Sequence, residues 1–398
     1  MEGDLTLNLS DPADIGLCPL RCQRLVDRLQ SEVDGGRLPG AVVLVARRGR
    51  IGLLQAVGRL DPARPGPMPV DAIFRIFSMT KPLTSVAALM LMEQGRLLLS
   101  DPVERHLPEF RNARVAVERA GQVHLEPVAR PATLQDLLRH TAGLTYEFSG
   151  QGAVRQLYRD HRLGVKDTGR DSAAWVQALA ALPLMDPPGT VGEYSRATDV
   201  LGRVVEVVSG QTLGDFLAGQ ILQPLGMVDT GFRVPPAAHH RIAEPFAADP
   251  DGADLMPMPD PRRVPDMESG GGGLVSTARD YARFLQCLLG GGALDGVRLL
   301  GPRTVAYMTA DHLGAIPARD TLLEPGEGFG LGFAVRTRAG ESAVPGSVGT
   351  YYWSGMGGTS FFVDPAQQLL AVMMMQGINQ RSYYRQQFRS LVYAALLD

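Results

Sequence analysis

The chain has 398 residues, more than one small hydrophobic core usually organises, so we expect one large domain or two that pack closely together. It carries 39 basic and 42 acidic residues, a net charge of −3 with no block of like charge, which argues against a nucleic-acid partner because phosphate binding requires a clustered positive surface. With 45% hydrophobic and 20% charged residues, it has the composition of a soluble globular protein and not of a disordered chain.

The apolar segments are too short to predict a membrane span. The longest, residues 86–92 and 369–375, fall far short of the roughly 20 residues that a span requires. The N-terminus, MEGDLTLNLSDPAD, is acidic and lacks the apolar core of a secretory signal, and a content of three cysteines favours a reducing compartment. We therefore expect a cytoplasmic protein with no membrane partner.

The first part of the chain predicts a helix, a hairpin and a second helix. Residues 20–33 have helical hydrophobic spacing, and residues 41–46 and 51–57 are β-rich runs joined by a short polar turn, which is typical of a hairpin. Residues 72–95 then predict a short strand, a turn and an apolar helix that ends at Gly95.

The middle of the chain predicts mostly helices, and the C-terminal part predicts strands between two helices. The expected middle helices cover residues 133–138, 173–182, 197–208 and 212–222. After a glycine run at 270–273, we expect helices at 278–289 and 381–397 and strands at 329–335, 350–353, 360–363 and 369–375.

These elements predict an α+β fold, in which an antiparallel sheet is built from both ends of the chain and flanked by the terminal helices, with a mostly helical insert. The expected domains are residues 1–85 together with 270–398, and residues 86–269, with an active site between them. Strands and helices do not alternate regularly, and no G-x-G-x-x-G follows a strand, so a dinucleotide-binding fold is not expected.

A Ser-x-x-Lys motif lies at the predicted strand-to-helix junction. If Ser78 stands at the helix N-terminus, Lys81 follows one turn later and the two side chains can meet. The helix end offers N–H donors and partial positive charge to an oxyanion. Lys81 is one of only two lysines in the chain, and a buried lysine, unlike arginine, can lose its proton near neutral pH and accept that of a serine. The alternative is a serine that caps the helix and a lysine in solvent.

Two further segments contain candidate site residues. Tyr194, in a loop just before the helix at 197–208, can exchange protons with Ser78 if it lies beside Lys81, because an ammonium group favours the phenolate. The segment Trp353-Ser354-Gly355-Met356 stands between two predicted strands, where small residues let backbone N–H groups approach a carbonyl and the indole can form a pocket wall. Ordinary packing of the tyrosine and tryptophan rings is the alternative for each segment.

Other motifs predict no chemistry of their own. The seven histidines have no metal-ligand spacing and no G-x-S-x-G occurs, so neither a zinc hydrolase nor an α/β-hydrolase is expected, and we predict no metal and no cofactor. We expect His140 to cap or brace a helix, the glycines at 270–273 to form a flexible turn, and Lys166 to be exposed in a polar loop.

Ser-x-x-Lys, a loop tyrosine about 110 residues later and a C-terminal strand motif occur here in the order found in the penicillin-recognising serine hydrolases, which this sequence resembles. Within that group, the W-x-G at Trp353-Ser354-Gly355 is similar to that of the family VIII carboxylesterases, which have a class C β-lactamase-like fold. The segments LLRHTAGL (137–144), GGGGLVSTARDYARF (270–284) and FFVDP (361–365) extend the likeness over nearly the whole chain.

The resemblance implies roles for individual residues. Ser78 is the expected nucleophile, and Lys81 with Tyr194 is the expected proton-transfer pair. The backbone N–H groups of Ser78 and Met356 are the expected oxyanion hole. The expected substrate-pocket residues are Trp353, Gly355 and Tyr146, with further lining from residues 146–158 and 245–258.

The implied function is that of a serine carboxylesterase that hydrolyses short- to medium-chain esters through a covalent acyl-Ser78 intermediate, with a small-molecule ester as its partner. Acyl transfer, as in the lovastatin-type branch, weak β-lactamase activity and a non-catalytic binding protein are the alternatives. Tyr194-Ser195-Arg196 lacks the asparagine of Tyr-x-Asn, and Trp353 stands where β-lactamases use a lysine to bind the drug's carboxylate, so both features weaken a lactamase interpretation.

Overall fold

The computed structural model of the chain describes residues 7–119, 121–164, 169–319 and 323–398. Lys166, predicted to be an exposed loop residue, lies outside the described residues. None of the helices within these ranges combines the length and the apolar character that a bilayer span would require.

Helices and strands follow one another in three sections of the chain. The N-terminal section contains α1 (Pro19–Asp34), β1 (Gly40–Arg47), β2 (Arg50–Gly58), β3 (Phe74–Arg75) and α2 (Thr80–Glu93). The middle section contains α3 (Val103–His106), β4 (Arg114–Arg119), β5 (Gln122–Pro127), α4 (Leu134–Leu138), α5 (Ala153–Asp160), α6 (Ser172–Ala180), α7 (Ala197–Ser209) and α8 (Leu213–Leu217). The C-terminal section contains β6 (Val275–Ser276), α9 (Ala278–Leu289), β7 (Ala293–Leu294), β8 (Val297–Arg298), α10 (Pro302–Met308), β9 (Glu327–Phe329), β10 (Ala334–Arg336), β11 (Tyr351–Ser354), β12 (Ser360–Asp364), β13 (Leu369–Met375) and α11 (Arg381–Ala394).

The centre of the molecule is a seven-stranded antiparallel sheet with the strand order β2-β1-β13-β12-β11-β10-β9. The N-terminal hairpin joins the C-terminal strands through β1 and β13, in a register that places Leu44 opposite Val372. Both strands are rich in aliphatic residues, which pack well on a pleated surface. This arrangement confirms the predicted α+β fold with a sheet built from both ends of the chain.

Strands β1 and β13 are buried on both faces of the sheet. Side chains alternate across a strand, so a continuous apolar run covers both faces. Val43 and Met373 belong to one buried cluster with residues of α1 and α11, whereas Leu44 and Val372 belong to another with residues of α2 and α9. The terminal helices therefore cover one face of the sheet, as the sequence predicts.

Helix α2 is surrounded by protein along nearly its whole length. Every residue from Thr80 to Leu91 is buried, and the helix packs against α7 and α8. Its apolar residues occupy all sides, which is the pattern of a core helix. The largest cluster of buried side chains includes residues of α2, α7 and the central strands, and the division of the chain at 85/86 and 269/270 stays a prediction.

Two segments differ from their predicted structure. The single strand predicted at 329–335 is wrong, because the chain forms the end of β9 and the start of β10, separated by a turn in which Gly332 has a φ of +102°. That conformation favours glycine. The β4–β5 hairpin lies within the part predicted as mostly helical, and its largely exposed strands lack the alternation of apolar residues by which a strand is recognised.

Candidate active site

Ser78 lies in a single 3₁₀ turn, Phe77–Met79, directly before α2. Phe77 has a φ of +44°, a conformation that carries an energetic cost for a residue other than glycine. Two hydrogen bonds hold the turn: Ile76 N–H donates to the Leu274 carbonyl at 3.0 Å, and the Tyr281 hydroxyl donates to the Met79 carbonyl at 2.8 Å. The fold therefore presents Ser78 at the N-terminal end of a buried helix.

Lys81 is fully buried one turn after Ser78, and its amine contacts three oxygen atoms. Nζ lies 3.2 Å from Ser78 Oγ, 3.0 Å from the Tyr146 hydroxyl oxygen and 2.6 Å from the Gly271 carbonyl oxygen. A lysine in solvent, the alternative that the sequence leaves open, is wrong because the exposed fraction of Lys81 is 0%.

Burial lowers the pKa of Lys81 to about 7, because a low-dielectric interior disfavours the ammonium form. The Asp199 carboxylate opposes this effect and raises the pKa, whereas the positive charge of Arg196 lowers it further. A large fraction of Lys81 is therefore neutral near pH 7 and able to accept a proton from a hydroxyl at hydrogen-bond distance.

The glycine run at 270–273 packs between Lys81 and helix α7. Gly271 N–H donates to Asp199 Oδ1 at 3.0 Å, while the Gly271 carbonyl accepts from Lys81. A Cβ atom at Gly271 would lie 2.8 Å from Asp199 Oδ2, so the chain can approach α7 this closely only because the residue is glycine. The predicted turn is present at 270–272, and it is packed against α7 and Lys81. Neither Gly271 nor Asp199 was predicted from the sequence as a site residue.

Two tyrosines flank Lys81 in different ways. Nζ lies 4.6 Å from the centroid of the Tyr194 ring, and the Trp353 indole N–H donates to the Tyr194 hydroxyl at 3.3 Å. Tyr146, predicted as a pocket residue, is buried: its hydroxyl accepts a hydrogen bond from Lys81, and it is not among the residues that line the cavity beside Ser78. Burial raises the pKa of Tyr146 well above its ordinary value, so its phenol is neutral.

His140 braces the loop that carries Tyr194. The His140 and Tyr194 ring centroids lie 4.9 Å apart, and a hydrogen bond of 3.1 Å joins His140 Nδ1 and Ser195 Oγ. Burial lowers the pKa of His140 well below its ordinary value, and the charge of Lys81 acts in the same direction, so the imidazole is neutral. The sequence predicts that His140 caps or braces a helix; in the structure it supports the loop before α7.

The turn that follows β11 lies directly against the Ser78 turn. Gly355 N–H donates to the Thr359 carbonyl at 2.8 Å, and a Cβ atom at Gly355 would lie 2.3 Å from the Ile76 carbonyl oxygen. In the part of the chain that the structure describes, the backbone N–H groups of Ser78 and Met356 donate to no protein acceptor. Two such donors are available to an oxyanion, and their role as the oxyanion hole stays a prediction.

A cavity of about 630 Å³ opens beside Ser78. Its walls include the predicted pocket residues Trp353 and Gly355, together with Tyr194 and Met356. Residues 148, 149 and 155 line it as expected for the 146–158 segment, whereas lining by residues 245–258 is wrong, because members of that segment line a separate, smaller cavity. One side of α11 also lines the cavity and was not predicted from the sequence; it contributes Arg381, Ser382, Arg385, Gln386, Phe388 and Arg389.

A β-lactamase family model matches residues 25–392, which is most of the chain. The chain belongs to the β-lactamase family. As a member of this family, it is 38% identical to Protein Rv1367c of Mycobacterium tuberculosis over 353 residues, 86% of this chain and 87% of that protein. It is 36% identical to Esterase EstB of Burkholderia gladioli over 363 residues, 85% of this chain and 86% of the esterase.

Among solved structures, this β-lactamase-family chain is similar to EstCE1, a hydrolase with promiscuous acyltransferase activity. The TM-score is 0.78 at 31% sequence identity, and the likeness covers 94% of this chain and 99% of EstCE1. Together with the match to Esterase EstB, this likeness confirms the resemblance to the family VIII carboxylesterases and the β-lactamase-like fold expected from the sequence.

Proposed function

We propose that the protein is a serine carboxylesterase that hydrolyses short- to medium-chain esters through an acyl-Ser78 intermediate. The similarity to Esterase EstB and to the hydrolase EstCE1 supports this activity. The single observation that carries the chemistry is the contact between the Ser78 hydroxyl and a fully buried amine, with 3.2 Å between Ser78 Oγ and Lys81 Nζ and a lysine pKa of about 7.

The hydrogen bonds around Lys81 favour its role as the base. A neutral amine has two N–H donors and one lone pair. The Gly271 carbonyl can only accept, and the Tyr146 hydroxyl is placed to accept the second N–H. The lone pair is then left for the remaining neighbour, the Ser78 hydroxyl. This orientation is the one that a general base requires.

In the acylation step, Ser78 Oγ attacks the ester carbonyl carbon while its proton passes to the neutral amine of Lys81. The carbonyl oxygen becomes an oxyanion, which accepts hydrogen bonds from the N–H groups of Ser78 and Met356. As this tetrahedral intermediate collapses, the bond between the carbonyl carbon and the alcohol oxygen breaks. The proton passes through Tyr194 to the departing alkoxide, which leaves as the alcohol.

In the deacylation step, water adds to the carbonyl carbon of the acyl-enzyme and gives one proton to the pair formed by Lys81 and Tyr194. The second tetrahedral intermediate collapses, the bond between the carbonyl carbon and Ser78 Oγ breaks, and Ser78 regains a proton. The products are the carboxylic acid and the free enzyme. No metal and no cofactor enters this scheme, and a cytoplasmic location stays a prediction.

Acyl transfer is a second candidate, because the similar structure of EstCE1 is that of a hydrolase with promiscuous acyltransferase activity. An alcohol that replaces water in the deacylation step would give a new ester instead of an acid. Added alcohols distinguish the two activities: a transferase consumes the donor ester faster as the alcohol concentration rises, whereas a hydrolase does not.

The proposed activity is tested by measuring hydrolysis of p-nitrophenyl esters of increasing chain length, with nitrocefin in the same screen. We expect turnover of the shorter esters and a loss of at least about a thousandfold in kcat for Ser78→Ala, because the nucleophile is removed. Ser100→Ala, at an exposed position, is the matched control and keeps wild-type activity.

A fluorophosphonate probe gives an independent readout of the same serine. The intact mass of the wild-type protein is expected to increase by one adduct, and that of Ser78→Ala is expected to stay unchanged. Turnover by Ser78→Ala close to that of the wild type would contradict the proposal. A folded wild-type protein that neither hydrolyses any ester nor takes up the probe would favour the binding-protein alternative instead.

A further inference from the structure

Three arginines of α11 face the cavity that contains Ser78. Arg381, Arg385 and Arg389 follow one another at four-residue intervals, which places them on one side of a helix, and all three line the cavity. Arg389 is 6% exposed and packs its guanidinium 4.9 Å from the centroid of the Tyr352 ring. Neither the proposed nucleophile nor the proposed proton-transfer pair uses these three side chains.

Several N–H groups of these arginines are buried and have no acceptor among the described residues. They are Nε of Arg385 and both Nε and Nη2 of Arg389. Stacking on an aromatic ring occupies the face of a guanidinium group and leaves the N–H groups at its edge unsatisfied. Burial of a hydrogen-bond donor without an acceptor is energetically unfavourable, and more so when the donor is charged. These N–H groups therefore favour an additional acceptor at the wall of the cavity that both arginines line.

Positive charge is in excess on this side of the cavity. Glu327 is the carboxylate nearest to Arg389, with 4.0 Å between Oε1 and Nη1, and it is shared with Arg336 at 3.8 Å. Glu324 also lines the cavity. Within the described residues, Arg381 and Arg385 form no ion pair with a carboxylate. Instead, Arg381 donates a hydrogen bond to the Ile378 carbonyl oxygen and Arg385 donates one to the Gly355 carbonyl oxygen. Burial and the neighbouring Arg381 lower the pKa of Arg385 to about 9.

Arg385 also contacts the turn that contains Met356, one of the proposed oxyanion donors. Its guanidinium donates a hydrogen bond to the carbonyl oxygen of Gly355, the residue directly before Met356. An anion held at the free edge of Arg385 would therefore sit beside the turn that supplies one of the proposed oxyanion donors. Trp353, Gly355 and Met356 line the same cavity as Arg385.

We propose that Arg385 and Arg389 form a carboxylate-binding subsite, so that the preferred substrates are esters that carry a carboxylate in their acyl or alcohol part. Two planar guanidinium edges with free N–H groups match the geometry of a carboxylate, which can accept from both. This inference names the substrate class of the proposed esterase and rests on that function.

The subsite is tested with two pairs of esters, each of which differs only by a carboxylate against a carboxamide. The acyl pair is p-nitrophenyl hydrogen adipate and its monoamide, and the alcohol pair is 4-acetoxybenzoate and 4-acetoxybenzamide. For each pair, the ratio of kcat/KM for the acid to kcat/KM for the amide is measured. We expect the wild-type ratio to be at least about ten for one pair, since a charged hydrogen bond is involved.

The same ratio is then measured for Arg385→Gln, Arg389→Gln and Arg303→Gln. Arg385→Gln and Arg389→Gln are each expected to lower the ratio at least about tenfold, whatever they do to kcat/KM for the amide. Arg303→Gln removes the same charge at an exposed position of α10 and is expected to keep the ratio, which separates a local subsite from the overall charge of the protein. The amide substrates report whether each variant is folded and active.

A wild-type ratio at or below one for both pairs, together with turnover of the amides, would overturn the subsite and leave the esterase intact. A high ratio that stays the same in Arg385→Gln and Arg389→Gln would also overturn it. If the wild type hydrolyses none of the four esters and takes up no fluorophosphonate at Ser78, the proposed function itself fails, and the inference fails with it.

Discussion

The pKa of Lys81 is determined by effects that oppose one another. Burial favours the neutral amine, Asp199 favours the ammonium, and Arg196 again favours the neutral form. Asp199 is itself fixed by hydrogen bonds from Ser269 and from Gly271 N–H, so its charge stays close to the site. The balance places the pKa of Lys81 at about 7, where a small change in surroundings alters the fraction of active enzyme.

This balance predicts a pH dependence. If neutral Lys81 accepts the Ser78 proton, kcat/KM rises with pH and reaches half its maximum near pH 7, the pKa of the free enzyme. Asp199→Asn removes the negative charge that raises the pKa of Lys81. The pKa then falls, so we expect the rise in kcat/KM to occur at a lower pH than in the wild type. The measurement is a pH profile of kcat/KM with an uncharged p-nitrophenyl ester.

Asp280→Asn is a matched control for this change. Asp280 is the third residue of α9, as Asp199 is of α7, and both are buried. We expect the Asp280 variant to keep the wild-type position of the rise, because the described hydrogen bonds of Asp280 are with Asp229, Thr230 and Thr277 and not with Lys81. A rise that moves to higher pH in Asp199→Asn, or does not move, would contradict the assignment of the rise to Lys81.

Single residues were predictable from sequence where the relevant contact is local. Ser78 and Lys81 are three positions apart, and a helix start brings them together whatever the rest of the fold does. The contact between Lys81 and Gly271 joins positions 190 apart in the chain, so no local sequence pattern predicts it. The role of the glycine run was missed for this reason, since a run of glycines predicts a turn equally well.

At the scale of elements, the turn after β11 packs closely against the turn that contains Ser78. A Cβ atom at Gly355 would lie 2.3 Å from the Ile76 carbonyl oxygen and 2.4 Å from Thr359 Oγ1. A Cβ atom at Gly357 would lie 2.7 Å from Cε2 of the Phe77 ring. These contacts fix the distance between the two turns, and hence between the N–H groups of the proposed oxyanion hole.

Gly355→Ala is therefore expected to separate the two turns. A displacement of about 1 Å at a reacting group can cost about a hundredfold in rate, so we expect kcat to fall by at least about tenfold while the protein stays folded. The measurement is kcat and KM for a p-nitrophenyl ester, with circular dichroism as the check on folding.

Gly219→Ala is the control for the loss of a glycine, because a Cβ atom there would meet nothing within 4 Å and the position does not require a positive φ. It is expected to keep wild-type kcat. If Gly355→Ala also keeps wild-type kcat, the close approach of the two turns does not govern catalysis.

Elements with strong periodicity were predicted well, and those without it were not. Helices α1, α7 and α9 and strand β13 lie where the apolar spacing places them. Strands β4 and β5 expose most of their side chains, so they have no buried face from which a pattern arises. The break between β9 and β10 depends on the conformation of Gly332, which an apolar run does not reveal.

At the scale of the whole molecule, the chain closes its central sheet with strands from its two ends. The pairing of β1 with β13 brings residues more than three hundred positions apart into register, and α1 and α11 cover the same face. Apolar strands at both ends predicted this sheet, because a buried strand needs partners and the middle of the chain offered few. The order of the strands was not predictable, since several orders bury the same residues.

The pairing of strands from both ends of the chain also explains why α11 lines the cavity, which was not predicted from the sequence. Helix α11 was predicted as one of the two terminal helices that flank the sheet, and its Tyr384, Phe388 and Val392 do pack on the same face as α1. Its arginines lie on another side of the helix and reach the cavity only because the sheet brings β11 next to them. A sequence pattern shows which residues share a helix side, but not which element that side will meet.

The central claim is that Lys81 is neutral at the pH at which the enzyme works, and its titration can be observed directly. The chain has only two lysines, so protein labelled with ¹⁵N at the lysine side chains gives at most two amine signals, and Lys81→Arg identifies one of them. The account predicts that the signal lost in Lys81→Arg titrates with a pKa of about 7. A titration of that signal near 10.5, the ordinary value of lysine, would show that Lys81 is an ammonium throughout the working range and would contradict its role as the base.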